Sequence, residues 1–201
     1  MFCAFMTLVC FHQLVDPRIP LSLKVPLSGE LEAEKSLLLT GQNGSGKTTL
    51  IHILVGLVTP HHGQVHTAPF FYCGHQTGLK NTWTVLQNLS FRTQLYGKPY
   101  STLSYLKETL RWFGLHTLAE RKVGLLSRGQ QQQIALISAF LSPYKVWILD
   151  EPFVHLDADA RQFWQQMMKQ HCQQGGGLIC SSPCGEDVFP GDTSLNLTSY
   201  K

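Results

Sequence analysis

The spacing of apolar positions divides this chain into strand-like and helix-like stretches that alternate along it. Leu37-Leu38-Leu39, Phe70-Phe71-Tyr72-Cys73, Val146-Trp147-Ile148-Leu149 and Leu178-Ile179-Cys180 are short continuous apolar runs, the form a buried strand takes. Thr49 to Val55 reads as a buried helix. Apolar spacings of three and four predict a helix over Thr84 to Phe91, broken by Gly97-Lys98-Pro99. Leu103, Leu106, Leu110 and Phe113 then repeat on one face up to Gly114, a stripe assigned to core. Further helices are predicted over Gln131 to Leu141, before Pro143, and over Ala160 to Gln174, before Gly175-Gly176-Gly177. Residues 1–40 look like strands, opening with Phe2 to Phe11 and turned at Asp16-Pro17, Ile19-Pro20 and Ser28-Gly29-Glu30. Thr59 to Gly63 is a turn into Gln64-Val65-His66, and the tail, 185–201, is consistent with edge strands. The class is α/β.

One stretch organises the rest. Gly41-Gln42-Asn43-Gly44-Ser45-Gly46-Lys47-Thr48, followed by Thr49, fits G-x-x-x-x-G-K-[ST]. It lies between a strand-like run and a helix, the context a phosphate-binding loop requires. Its glycines let successive N–H groups turn inward toward phosphate oxygens. The helix start adds unpaired donors and the positive end of the helix dipole. Lys47 offers a charge for the β- and γ-phosphates, and Thr48 a hydroxyl for Mg²⁺. ATP and Mg²⁺ are therefore the expected ligands.

Four further features specialise this loop. The run ending in Asp150-Glu151-Pro152 delivers Asp150 to the Mg²⁺ shell, with Thr48 and Gln76. Glu151 is placed to orient or deprotonate the attacking water, with Gln76 the second catalytic candidate. Leu126-Ser127-Arg128-Gly129-Gln130 opens a helix 20 positions before Asp150. Ser127 is a good cap, Gly129 admits close backbone approach, and with Gln130 they form a second phosphate site. One monomer does not need two sites on one γ-phosphate, so a homodimer closing head to tail over the nucleotides is expected. Gln76 also opens the helical stretch and is placed to report occupancy to it. Phe153 to Asp157 falls where a subunit contact would lie.

Composition narrows the setting. Of 201 residues, 43% are hydrophobic, enough for one domain with a sizeable core. Only 14% are charged, against roughly 25% in an average domain, which hints at a partner covering part of the surface. A net charge of +3 is too weak to argue for nucleic acid. The six cysteines form no C-x-x-C pair and read as small buried hydrophobes in a reducing compartment. No apolar stretch reaches the ~18 residues a membrane span needs, so any span must come from another chain.

The ordered set of phosphate loop, Gln76, Leu126-Ser127-Arg128-Gly129-Gln130, Leu149-Asp150-Glu151-Pro152 and His155-Leu156-Asp157 resembles the ATP-binding subunits of ABC transporters. Gly74-His75-Gln76-Thr77-Gly78-Leu79-Lys80, Thr84 to Leu89 and Trp147 to Phe153 are most similar to the cytochrome c maturation, haem-exporting branch. The resemblance implies an ABC ATPase core with an N-terminal antiparallel β region and a helical subdomain insertion. It spans 1–201 as one domain, with the core at about 1–76 and 135–201 and the insertion at about 77–134. It further implies an integral-membrane permease, a role in haem delivery to a periplasmic chaperone, and a place on the cytoplasmic face of a bacterial inner membrane.

Two positions depart from that family. Arg128 stands where a small residue is usual, tolerable if its side chain points away. Pro183 occupies the place of a histidine that contacts the γ-phosphate, and proline has neither a side-chain donor nor an N–H. His171 precedes the last strand and belongs to its wrong end. Glu151 therefore favours an ATP-hydrolysing transport subunit, and Pro183 a regulatory ATP-binding module with little turnover. Soluble ABC proteins working on DNA or ribosomes usually carry long coiled-coil insertions or two tandem cassettes, and this chain has neither.

Overall fold

The computed structural model describes residues 7–97, 102–182 and 193–198, apart from the side chain of Leu23. It divides into two compact units. The first comprises Met1–His75, Tyr144–Phe153 and Ala158–Lys201, and the second Gln76–Pro143 and Val154–Asp157.

The first unit is built on two sheets. β1 (Thr7–Val15) lies between β2 (Leu27–Glu32) and β4 (His62–Thr67) in an antiparallel sheet of order β2-β1-β4. β1 buries Val9 and Phe11 in alternation, then leaves both His12 and Gln13 exposed where its register shifts before buried Leu14. The second sheet is parallel in every pair and ordered β5-β6-β7-β3-β8. β3 (Ser36–Thr40), β5 (Phe70–Cys73), β6 (Val146–Leu149), β7 (Gly177–Ser182) and β8 (Thr193–Asn196) form it. Every residue of β6 and β7 is buried, which explains their unbroken apolar runs. Val9, Phe11, Leu14 and Leu31 meet Leu37, Leu39, Val146, Ile148 and Ile179 in one core. Leu50, Ile51, Ile53 and Leu54 of α1 (Lys47–Leu54) join that core. α5 (Ala158–Gln173) buries Trp164, Met168 and Cys172, four residues apart on one stripe.

The second unit is helical. α2 (Val85–Leu95) starts at a capping box, with Thr84 accepting from the Gln87 N–H and Gln87 accepting from the Thr84 N–H. α3 (Leu103–Trp112) is capped by Thr102, and α4 (Arg128–Leu141) by a second capping box, Ser127 with Gln130. Leu106 and Leu110 of the expected core stripe are buried, but Leu103 is 59% exposed. It is the first residue of α3 and overhangs the helix end, so the stripe begins one turn later.

Several boundaries move. The described part of β1 begins at Thr7, and the expected start over Phe2 to Met6 lies outside the described residues. α4 starts at Arg128 and not Gln131, because the Ser127 box nucleates it earlier. The tail strand β8 is a parallel edge beside β3. Cys73, Cys172 and Cys180 are buried and Cys10 is partly so, all four free thiols. Burial, and then the nearby Asp150 carboxylate, pushes the Cys180 thiol far up, which makes it inert. Cys3 and Cys184 lie outside the described residues.

The link between β1 and β2 is a knot of polar contacts. Asp16 is fully buried and accepts from Arg18 Nε at 2.7 Å and Nη2 at 2.6 Å. Ser22 Oγ accepts from the Asp16 N–H and shares its one proton between the carbonyls of Asp16 and Ile19. The Arg18 guanidinium holds the Asp16 carboxyl at about 2, below its ordinary 3.8. The folded state thus binds this proton less tightly than the unfolded chain. The stabilisation is complete above about pH 4 and is lost as pH falls toward 2. Asp16→Asn is expected to lower Tm at pH 7 and to flatten the fall in Tm between pH 4.5 and 2.5, measured by thermal melts. An unchanged pH dependence would contradict this role.

Candidate functional site

In the first unit the phosphate loop leaves the C-terminal end of β3 and enters α1. Gly46 adopts φ +98° at the helix N-cap. A Cβ there would lie 2.9 Å from Ile19 Cα and 3.0 Å from the Arg18 carbonyl oxygen. Only glycine permits both the left-handed backbone and that approach. Lys47 is buried, and its Nζ donates to the Gly41 carbonyl at 2.7 Å and the Gln42 carbonyl at 3.3 Å. The cation therefore sits inside the loop it belongs to. Ser45 Oγ is buried with no hydrogen-bond partner among the described residues. A buried hydroxyl without a partner is costly, and an incoming phosphate oxygen would satisfy it.

The ends of β6 and β7 complete this corner. Asp150 follows β6, is 2% exposed, and accepts from Thr48 Oγ1 at 2.9 Å through Oδ2. Its Oδ1 accepts from Ser181 Oγ on β7 at 2.5 Å. The same Ser181 oxygen accepts from the Glu151 N–H at 2.9 Å. Glu151 has φ +51°, a left-handed conformation worth roughly 1–2 kcal/mol for a residue with a Cβ. Glu151 lines a cleft of about 370 Å³ with Arg18, Asn43, Gly44, Gly46, Lys47, Thr48 and Thr49. The cleft combines two cations, hydroxyls and a helix N-terminus, a donor set for a polyanion, with the Asp150 carboxylate beside it for a hard cation.

His171 is at the opposite end of this sheet. It stacks on Trp147 with ring centroids 3.7 Å apart, and Nε2 bonds the Lys145 carbonyl just before β6. Burial lowers its pKa, so it is a packed neutral ring. Pro183 lies outside the described residues.

Gln76, Ser127, Gly129 and Gln130 belong to the second unit. Gln76 is exposed and precedes a segment tied to α2. Arg92 Nη2 donates to the Thr77 carbonyl at 2.5 Å. Buried Asn88 accepts from the Lys80 N–H at 2.8 Å and donates to the Lys80 carbonyl at 3.1 Å. Gln130 Oε1 is occupied by the Ser127 N–H at 3.0 Å, so its side chain serves the cap. Arg128 is exposed. At Gly129 a Cβ would lie 2.5 Å from the His155 carbonyl oxygen. The glycine thus lets the Val154–Asp157 turn close on the start of α4.

Sequence reasoning did not single out Arg18 or Ser181. Neither belongs to the loop motif, although the spacing of β7 beside β6 puts a polar residue next to Asp150.

The profile of the ABC transporter family matches residues 25–154. The chain belongs to the ABC transporter family. Among its relatives, the cytochrome c biogenesis ATP-binding export protein CcmA of Ruegeria pomeroyi is 37% identical over 78% of this chain and 75% of its own. The protein of the same name from Xylella fastidiosa Temecula1 is 32% identical over 94% of this chain and 92% of its own. In fold this ABC chain is similar to a solved metal-chelate type ABC transporter in an inward-facing conformation. That match has a TM-score of 0.79 and 21% identity, covering 95% of this chain and 80% of that one. An ATP-binding ABC transporter protein from Pyrococcus furiosus gives a TM-score of 0.78 at 22% identity, over 94% and 96% of the two chains. The fold expected from the motifs, an α/β ABC ATPase with an antiparallel β region, is the fold observed.

Gly129→Ala is expected to shift the 154–157 turn and destabilise the protein by about 1–3 kcal/mol, read from urea denaturation. An alanine variant as stable as the wild type would contradict the close packing at this glycine.

Proposed function

We propose that this chain is the ATP-binding and ATP-hydrolysing subunit of an ABC transporter that serves haem delivery in c-type cytochrome biogenesis. Two observations support it. Relatives 32–37% identical over most of both chains are named as cytochrome c biogenesis ATP-binding export proteins. Lys47, Thr48, Asp150 and Glu151 also converge on one corner of the first unit.

In this reading the backbone of Gly41 to Thr49 cradles the phosphates of ATP, and Lys47 turns from its own loop carbonyls to them. Thr48 and Asp150 would hold Mg²⁺, with Gln76 a further ligand that the motif order implies, and the ion would supply charge neutralisation on the phosphate oxygens. Glu151 orients and polarises the attacking water. Ser127, Gly129 and Gln130 of a second copy close over the γ-phosphate, so the working form is a homodimer. The charge-poor surface and the family fit a complex with an integral-membrane permease. No described helix is long and apolar enough to cross a membrane. In this reading the chain sits peripherally on the cytoplasmic face of the bacterial inner membrane, as the family resemblance implies. Cargo choice belongs to the permease, and a haem chaperone acts downstream.

A second reading rests on Pro183. Without a side-chain donor at that position, the chain binds ATP and dimerises but hydrolyses slowly. Both readings require ATP binding at Lys47. Lys47→Ala is expected to weaken ATP binding at least tenfold by calorimetry while leaving the fold intact; equal affinity would overturn both. Pro183→His in the assembled complex separates them. A rise in turnover supports the regulatory module, and an unchanged, normal rate supports the transport ATPase.

A further inference from the structure

We infer that Ser181 is a positioning residue for hydrolysis, setting the direction of Glu151 by joining its backbone to the Asp150 carboxylate. The inference rests on the hydrolytic reading above and deepens it. Ser181 is 1% exposed near the end of β7. A hydroxyl has one proton and two lone pairs. The proton goes to Asp150 Oδ1, and a lone pair receives the Glu151 N–H.

The pair Asp150-Glu151 is held through its two N–H groups. The Asp150 N–H donates to the Cys73 carbonyl at 2.8 Å, a ladder bond any sequence would supply. The Glu151 N–H donates to a side chain, so this half of the clamp depends on residue 181 alone. Glu151 is also the half under strain, with φ +51°. A left-handed residue with a Cβ persists only where its surroundings hold it. Release of the N–H would let the peptide between Asp150 and Glu151 rotate, which swings the Glu151 carboxylate relative to the loop. Misplacement of a catalytic group by about 1 Å costs on the order of 100-fold in rate. Thr48 occupies Oδ2 of Asp150, so Ser181 is the bond that orients the carboxylate from the β7 side.

The test uses the complex with its permease. Ser181→Ala removes the hydroxyl, and Ser181→Cys fills the same space with a weak donor that preserves packing. Both are expected to lower kcat 10- to 100-fold with KM for ATP within twofold of wild type. Combined with Glu151→Gln, Ser181→Ala is expected to add nothing, because it acts through that carboxylate. A kcat near wild type in the two serine variants would overturn the inference, as would an equal loss in KM or a fully multiplicative double mutant. A wild-type complex without turnover would overturn the hydrolytic reading and this inference together; normal wild-type turnover with indifferent serine variants overturns this inference alone.

Discussion

A buried carboxylate caught between two hydroxyls is the contact on which the site depends. Asp150 takes one hydrogen bond from Thr48 at the start of α1 and one from Ser181 on β7. A charged group with almost no solvent exposure is tolerable only when its lone pairs are met, so these bonds are obligatory rather than decorative. They join three segments remote in sequence. The phosphate loop cannot move relative to the β6 and β7 ends without leaving Asp150 unsatisfied.

The parallel sheet makes that meeting possible. β3, β6 and β7 run in the same direction and lie side by side, so their C-terminal ends come out together. Ligands in open parallel sheets bind at those ends. The antiparallel sheet supports the arrangement from the other side. Its link presents the Arg18–Ile19 backbone against Gly46, and the Asp16 carboxylate fixes Arg18 at the cleft. Lys47, folded onto the Gly41 and Gln42 carbonyls, gives the loop an internal tie.

Much of this was legible in the residue order. The ordered set of loop motif, Gln76, Leu126 to Gln130, the carboxylate pair after a third apolar run and His155-Leu156-Asp157 pointed to an ABC ATPase, and the fold and the family agree. Individual side chains were less legible. Ser181 lies in an apolar run and carries no motif, and its importance arises from strand register, which pairs Leu149 with Cys180. Arg18 reaches the cleft only because the turn after β1 is pulled tight by Asp16 and Ser22. Gln130, expected at the nucleotide, also forms half of a capping box with Ser127, a local role its motif does not reveal. Leu103 fits a helical stripe by count, but the stripe's end hangs past the packed turn. Periodicity reports faces well and helix ends poorly.

The most direct measurement is an experimental structure of the protein with Mg²⁺ and a non-hydrolysable ATP analogue. The account predicts Lys47 Nζ drawn from the Gly41 carbonyl to the β- and γ-phosphates. The metal should lie at Thr48 Oγ1, with Asp150 still bonded to Ser181. A nucleotide bound elsewhere, with Lys47 still closed on its own loop, would contradict it.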